Sequence, residues 1–85
     1  MATRIKSMEQ FRACFEKGDS HEFVTVCGLL KFRRVITRLK NRRGSVKERY
    51  QVWSMVDGSV AVWTVGEIGE YFAEAMRAGA LFLDD

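Results

Sequence analysis

The segment YQVWSMVDGSVAVWTV, residues 50–65, limits the possible folds more than any other part of the 85-residue chain. It contains two β-rich runs around Asp57-Gly58, a dipeptide that supports a two-residue type I′ turn. Such a turn pairs Val56 with Ser59 and thereby fixes which side chains share a face. One face then carries Trp53, Met55, Val60 and Val62, and the other carries Val52, Ala61, Trp63 and Val65. Because both faces are apolar, we expect further strands beside this hairpin and helices over at least one side.

The N-terminal part of the sequence predicts a helix that begins after Ser7. Ser7 and Gln10 have the spacing of a capping box, and Gly18 is placed to end the helix in the left-handed conformation. Three apolar side chains between these signals recur at helical spacing, namely Phe11, Cys14 and Phe15.

The same signals predict a second helix near the C-terminus. Thr64 and Glu67 form a capping box in TVGE, and Gly79 is placed as the stop. The apolar positions between them recur at helical spacing and are Val65, Ile68, Phe72, Ala75 and Met76. The tail ALFLDD, residues 80–85, is apolar enough before its acidic end to pack back onto the domain.

The segment from His21 to Arg43 fits two interpretations. As a helix that stops at Gly44, it has one apolar arc, formed by Leu29, Phe32, Val35, Ile36 and Leu39. The opposite arc is basic and polar, and consists of Lys31, Arg34, Thr37, Arg38 and Asn41. As strands, EFVTVC and RRVITRL are β-branched runs broken at Gly28. On a strand, alternation sends Arg34, Ile36 and Arg38 to one face and Arg33, Val35 and Thr37 to the other.

The strand interpretation leads to one α+β domain over residues 1–85. It has an N-terminal helix, a four-stranded antiparallel meander and a C-terminal helix packed on the sheet. The helix interpretation leads to a winged helix-turn-helix fold, in which Arg34, Arg38 and Lys40 are recognition-helix candidates. In either fold, a hydrophobic content of 47% is enough for one modest core.

Several classes of protein are disfavoured by the sequence. No apolar run reaches the ~20 residues that span a bilayer, and MATRIKSMEQ lacks the apolar stretch of a secretory signal. We therefore expect a cytoplasmic protein in which Cys14 and Cys27 are reduced and buried. With His21 as the only further soft ligand, the two cysteines do not form a zinc site, and we expect no metal.

The residue pattern predicts a protein that is not an enzyme, with no catalytic residue and no cofactor. A side-chain nucleophile requires a base within reach, and His21 is the only histidine. Glu67, Glu70 and Glu74 follow one side of the predicted C-terminal helix, which is typical of a solvated face. The glycines in VGEIGEY lack the spacing and the lysine of a phosphate-binding loop.

Positive charge is concentrated between Lys31 and Arg49, a segment with nine basic residues and one acid. The rest of the chain has five basic and ten acidic residues, so the net charge of +3 conceals a dipolar distribution. Arginine outnumbers lysine six to three in the segment, which suits planar contacts to phosphate or carboxylate groups. The candidate contact residues for nucleic acid or an acidic protein surface are Arg33, Arg34, Arg38, Lys40, Arg42, Arg43, Lys47 and Arg49.

Aromatic side chains next to this segment form a second group of candidates. An open sheet face that presents an aromatic ring beside arginines makes a base-stacking platform or a protein-interaction site. Tyr50, Trp53 and Trp63 are the residues that such a face would present.

Three stretches of the sequence resemble a loosely defined group of short bacterial proteins that occur in genomes and in phage or integrative elements. The stretches are EFVTVCGLLKFRRVIT, YQVWSMVDGSVAVWTVGEI and EAMRAGALFL. The resemblance rests on turn and cap motifs, at Gly28, Asp57, Gly58, Ser59, Thr64, Glu67, Ala75, Gly79, Ala80 and Leu81. It implies the strand interpretation of residues 22–39 and implies no catalytic or binding residue. The stretch KNRRGSVKER, residues 40–49, is longer and more basic than in that group.

Two functions are consistent with these features. The first is a non-enzymatic module that binds nucleic acid or another polyanion through the basic segment 31–49, with little sequence preference because phosphate contacts carry no sequence information. The second is a protein–protein inhibitor or adaptor from a phage or other mobile element, for example an anti-CRISPR, in which the basic segment occupies an acidic groove of a host complex.

Overall fold

The computed structural model describes residues 2–39 and 48–84 and has an α+β architecture, as the sequence predicts. Its helices are α1 (Met8–Ala13), extended by a short 3₁₀ turn (Cys14–Glu16), and α2 (Val65–Arg77). Its strands are β1 (Ala2–Arg4), β2 (Ser20–Cys27), β3 (Leu30–Leu39), β4 (Arg49–Ser54), β5 (Val60–Thr64) and β6 (Leu81–Asp84). The strands form a single sheet in the order β1-β6-β2-β3-β4-β5, and every neighbouring pair is antiparallel. In the described part of the chain, no helix is long and apolar enough to cross a bilayer.

The segment that fitted both a helix and a strand is strand β3. It pairs with β2 along one side and with β4 along the other, so it lies inside the sheet. Gly28 and Leu29 form the two-residue turn between Cys27 and Leu30, and Gly28 has the positive φ of +61° that such a turn requires. The winged-helix interpretation is therefore wrong, because backbone pairing on two sides outweighs the helical periodicity of the apolar residues.

The hairpin β4–β5 forms, but its register differs by two residues from the predicted one. Trp53 pairs with Val60, and the Ser54 N–H donates to the Ser59 carbonyl at 2.9 Å. The turn is wider than Asp57-Gly58 alone, since the Gly58 N–H donates to the Ser54 carbonyl at 2.9 Å. A shift by an even number of residues preserves the faces, so Trp53, Val60 and Val62 still share one face.

The sheet has six strands, whereas the sequence predicted four. The two additional strands are the terminal segments, with β6 inserted between β1 and β2. Leu81 and Leu83 of β6 are buried on the core side, so the tail is an interior strand and not merely an apolar segment packed on the domain. Strands of three and four residues are too short to show alternation, and they pair with partners that are distant in sequence.

Both helices begin at the predicted caps. The Ser7 hydroxyl accepts from the Gln10 N–H at 3.2 Å, and Thr64 and Glu67 form a complete capping box. The predicted apolar positions of α2 are buried or partly buried, and Glu67, Glu70 and Glu74 are exposed.

The two cysteines differ in exposure. Cys14 is half-buried, and its Sγ lies 3.3 Å from the Gln10 carbonyl. Cys27 is exposed at the end of β2, so the expectation that both thiols are buried is wrong for Cys27. Its position directly before the β2–β3 turn explains this exposure, because that turn projects from the end of the sheet.

The core lies on one face of the sheet, where both helices pack. Phe11 of α1 is at its centre, with its ring centroid 4.9 Å from that of Phe23 and 5.6 Å from that of Tyr50. From α2, Phe72 approaches Phe11 with a centroid separation of 6.5 Å. Ile68 and Met76 of the same helix also belong to the core cluster. Strand side chains that point away from this cluster form a second face, which neither described helix covers.

The burial of β6 leads to a stability prediction. Replacing Leu81, which has 0% exposure, by Ala should lower the free energy of unfolding by about 2–5 kcal/mol, because a core cavity is left behind. The same substitution at Leu30, which is 62% exposed, is the matched control and should change it by no more than about 0.5 kcal/mol. Urea unfolding of the two variants measures both values. Equal losses would show that β6 does not lie inside the sheet.

Candidate binding surface

The uncovered face of the sheet, called here the open face, is the candidate binding surface. It consists of alternate side chains from all six strands, as the pairing register shows. Its members are Ala2, Arg4, Ser20, Glu22, Val24, Val26, Lys31, Arg33, Val35, Thr37, Leu39, Arg49, Gln51, Trp53, Val60, Val62, Thr64, Phe82 and Asp84.

Trp53 is the principal aromatic residue of the open face. Its partners across the sheet are Val35 on β3 and Val60 on β5. The side chain of Trp53 is 45% exposed, and those of Val60 and Val62 are 54% and 52% exposed. A shallow depression of about 200 Å³ is lined by Val35, Thr37, Gln51, Trp53 and Val60. A flat ring can therefore stack on Trp53, with polar groups from β3 and β4 beside it.

The cations on the open face differ in how far they are neutralised. Arg33 donates to the Asp84 carboxylate at 2.6 Å and to the Glu22 carboxylate at 3.1 Å, and these bonds raise the pKa of its guanidinium. Lys31, Arg49 and Arg4 have no ion pair among the described residues, and the Arg4 guanidinium lies 5.6 Å from the centre of the Phe82 ring. Arg49 precedes Trp53 by four residues on β4, which is roughly 13 Å along the strand. Arg33 therefore mainly forms ion pairs within the protein, while Lys31 and Arg49 are available to bind an anionic partner.

Two of the predicted contact arginines point to the helix-covered face. The side chain of Arg38 donates to the Asp19 carboxylate at 3.2 Å, near the start of β2. Arg34 donates to the Tyr71 hydroxyl at 2.8 Å, between the sheet and α2. Strand alternation thus separates Arg34 and Arg38 from Arg33 and Arg49, so these four described candidates do not share one surface.

Four further candidates, Lys40, Arg42, Arg43 and Lys47, lie outside the described residues. Their segment joins the end of β3 to Glu48. The Glu48 carboxylate accepts from Arg12 at 2.8 Å and from the Tyr50 hydroxyl at 3.1 Å. The bond from Arg12 is the main reason that the pKa of Glu48 lies below its ordinary value. The only acid of the basic run therefore forms its ion pair with Arg12, which lies outside that run.

The three aromatic candidates occupy three different environments. Tyr50 has 1% exposure and packs against Phe11 and Phe15, so its ring belongs to the core and is not accessible to a partner. Trp63 is half-buried on the helix-covered face, with its ring 4.5 Å from that of Tyr71. Of these three candidates, only Trp53 has its side chain on the open face.

Sequence reasoning missed three residues that shape these surfaces. Glu22 and Asp84 engage Arg33, although Asp84 is 51 positions away in the chain. Tyr71 holds Arg34 from the exposed side of α2. No local spacing predicts such pairs. Recognition of the tail as an interior strand would have placed Asp84 beside Glu22, and thus near Arg33.

Comparisons with known proteins add no assignment. No protein-family model, no curated protein and no solved structure matches the chain. The resemblance to short bacterial and phage-associated proteins therefore stays a prediction. Among residues 2–39 and 48–84, no group of three or more histidine, cysteine or acidic side chains is arranged to hold a metal ion.

The environment of Tyr50 predicts an alkaline loss of stability. Burial, together with the nearby Glu48, raises the pKa of Tyr50 to about 12 in the folded protein. The unfolded tyrosine titrates near its ordinary value of about 10. The stabilising contribution of the protonated phenol is thus complete below about pH 10 and is lost as the pH rises towards 12. Urea unfolding across this pH range should show a steeper loss for the wild type than for Tyr50→Phe. If the free energy of unfolding fell equally with pH in both proteins, the raised pKa of Tyr50 would be contradicted.

Proposed function

We propose that the protein is a non-enzymatic module that binds single-stranded nucleic acid on the open face of its sheet, with little sequence preference. The observation that carries this proposal is the position of Trp53. Its exposed ring lies on an uncovered sheet face between Lys31 and Arg49, which form no ion pair with the described residues.

Stacking supplies the contact with bases. Every base has a π-face, so a single exposed tryptophan accepts any base and contributes about 1–3 kcal/mol. In a duplex the faces of the bases are already stacked on one another, whereas a single strand can present them to Trp53. The flat surface formed by Val35, Val60 and Val62 around the ring extends the apolar area beneath the base.

Charge supplies the contact with phosphates. Lys31 and Arg49 lie on the open face, and the segment between β3 and β4 contributes Lys40, Arg42, Arg43 and Lys47. Lysine and arginine that neutralise phosphates release counterions, so affinity depends steeply on salt. Contacts of this kind hold the strand in place without reading its sequence.

The uncharged edge strand β5 supports a second proposal, a protein–protein inhibitor or adaptor of the anti-CRISPR type. The Ser54–Ser59 hydrogen bond fixes which residues of β5 form backbone hydrogen bonds with β4. These residues are Ala61 and Trp63, because hydrogen-bonded positions alternate along an antiparallel strand. The backbone groups of Val60 and Val62 then point outward, where a partner strand can add to the sheet. A host protein that is retained after nuclease treatment by the wild type, and released by Val62→Pro, would favour this function over the first.

The role of Trp53 predicts a specific loss of affinity. Replacing Trp53 by Leu should weaken the binding of an oligothymidylate of roughly 12 nucleotides by about 1–3 kcal/mol, because stacking is removed while an apolar side chain remains. Trp53→Phe is the matched control and should retain most of the affinity. Fluorescence anisotropy at several salt concentrations measures both, with a duplex of equal length alongside. Tighter binding of the duplex, or affinity that is independent of salt, would contradict the proposal.

The basic segment predicts a change in salt dependence. Changing Arg42 and Arg43 together to Ala should lower affinity and flatten the plot of log affinity against log salt by about 1.4, since each phosphate contact to a single strand contributes roughly 0.7. Changing Glu70 and Glu74 on α2 to Ala is the control and should leave binding unchanged or slightly stronger. The opposite ranking would mean that the acidic helix is the working surface.

A further inference from the structure

Arg34 occupies a position on the helix-covered face where an apolar side chain would be expected. Its partners across the sheet are Phe23 on β2 and Ser54 on β4. The guanidinium lies 5.8 Å from the centre of the Phe32 ring and 5.3 Å from that of the Tyr71 ring. It donates to the Tyr71 hydroxyl at 2.8 Å and more weakly to the Thr25 hydroxyl at 3.5 Å. Two rings and two neutral oxygens thus hold the group in one orientation.

The charge of Arg34 has no counterion among the described residues, in contrast to three other arginines. Arg12, Arg33 and Arg38 each form an ion pair with a carboxylate at 3.2 Å or less. A guanidinium carries five N–H donors, and the described residues engage two of those of Arg34. The remaining donors are therefore available to an anion.

Arg34 borders a cleft between α2 and the β2–β3 hairpin. The cleft has a volume of about 320 Å³, within the range of small-molecule sites. Phe32, Phe72 and three alanines in or just after α2 make its lining mainly apolar, and these alanines are Ala75, Ala78 and Ala80. Glu74 also lines it, but forms no ion pair with Arg34. A positioned cation at the border of an apolar cleft is suited to a ligand with an anionic group and an apolar body.

We propose that this cleft binds a small carboxylate with an aromatic or aliphatic body, and that Arg34 holds the carboxylate through its free N–H groups. The planar fork of a guanidinium matches the two oxygens of a carboxylate. Arg34 can compensate one negative charge, and Glu74 lines the same cleft, so a monoanion is favoured over a phosphate dianion, whose second charge would be left without a cation. The site lies on the side of the sheet opposite to the open face, so it does not depend on the proposed nucleic-acid binding.

Phenylacetate and hexanoate are the probes for this site, and the full chain is observed by ¹H–¹⁵N NMR. Phenylacetate or hexanoate should shift the signals of Tyr71, Ala75 and Ala78, which line the cleft. Phenylacetamide has the same body without the charge and should bind about tenfold more weakly, because charge-assisted hydrogen bonds to Arg34 are lost. Phenyl phosphate should also bind about tenfold more weakly, because its second negative charge has no cation to compensate it. Failure of both carboxylates to bind, or equal binding of the amide, would overturn the proposal.

Variants of the charged residues separate binding from folding. Arg34→Met should reduce phenylacetate affinity about tenfold or more, while Arg77→Met, an exposed arginine outside the cleft, should leave it unchanged. Arg34→Lys keeps the charge without the fork and should lie between the wild type and Arg34→Met. Glu74→Gln should strengthen phenylacetate binding and narrow the preference over phenyl phosphate. If Arg34→Met does not fold, Arg34→Lys and Glu74→Gln still decide the question, and unchanged affinity in both would overturn the proposal.

Discussion

The side chains of every strand alternate between a face packed against two helices and a face that no described helix covers. Helices of six and thirteen residues supply enough apolar surface for one face of a six-stranded sheet. Phe11 shows how this surface is used, because its ring meets Phe23 and Tyr50 from the sheet and Phe72 from α2. The burial of one face leaves Trp53, Val60 and Val62 on the other, and this is the surface on which the proposed function rests.

The same alternation divides the basic run of the sequence. Consecutive arginines at positions 33 and 34 point to opposite faces and have different roles. Arg33 is neutralised by two carboxylates on the open face. Arg34 lies near two aromatic rings on the helix-covered face and forms no ion pair with the described residues. A high density of charge along the chain is therefore not the same as a high density of charge on one surface. The candidate residues that the structure describes are distributed over the open face, ion pairs within the protein and a separate cleft.

Local signals predicted the elements whose formation depends on nearby residues. The caps at Ser7 and Thr64 and the glycine stop at Gly79 are of this kind, as is the hairpin around Asp57-Gly58. The faces of that hairpin were predicted correctly although its register was not, because a wider turn shifts pairing by two residues and preserves alternation. Strands β1 and β6 could not be predicted, since each is shorter than five residues and pairs across most of the chain. The candidate site was predicted less well than the fold, because ion pairs such as Arg33–Asp84 exist only once β6 is in place.

The central claim is that the open face, and not the helix-covered face, is the binding surface for single-stranded nucleic acid. Chemical-shift mapping by ¹H–¹⁵N NMR with an oligothymidylate at low salt tests this claim most directly. Our account predicts that the Trp53 indole signal and the amides of Arg49, Gln51 and Val62 move together and saturate. Shifts confined to α2 would contradict it. The absence of shifts at nucleotide concentrations where a basic protein of this charge should bind would also contradict it.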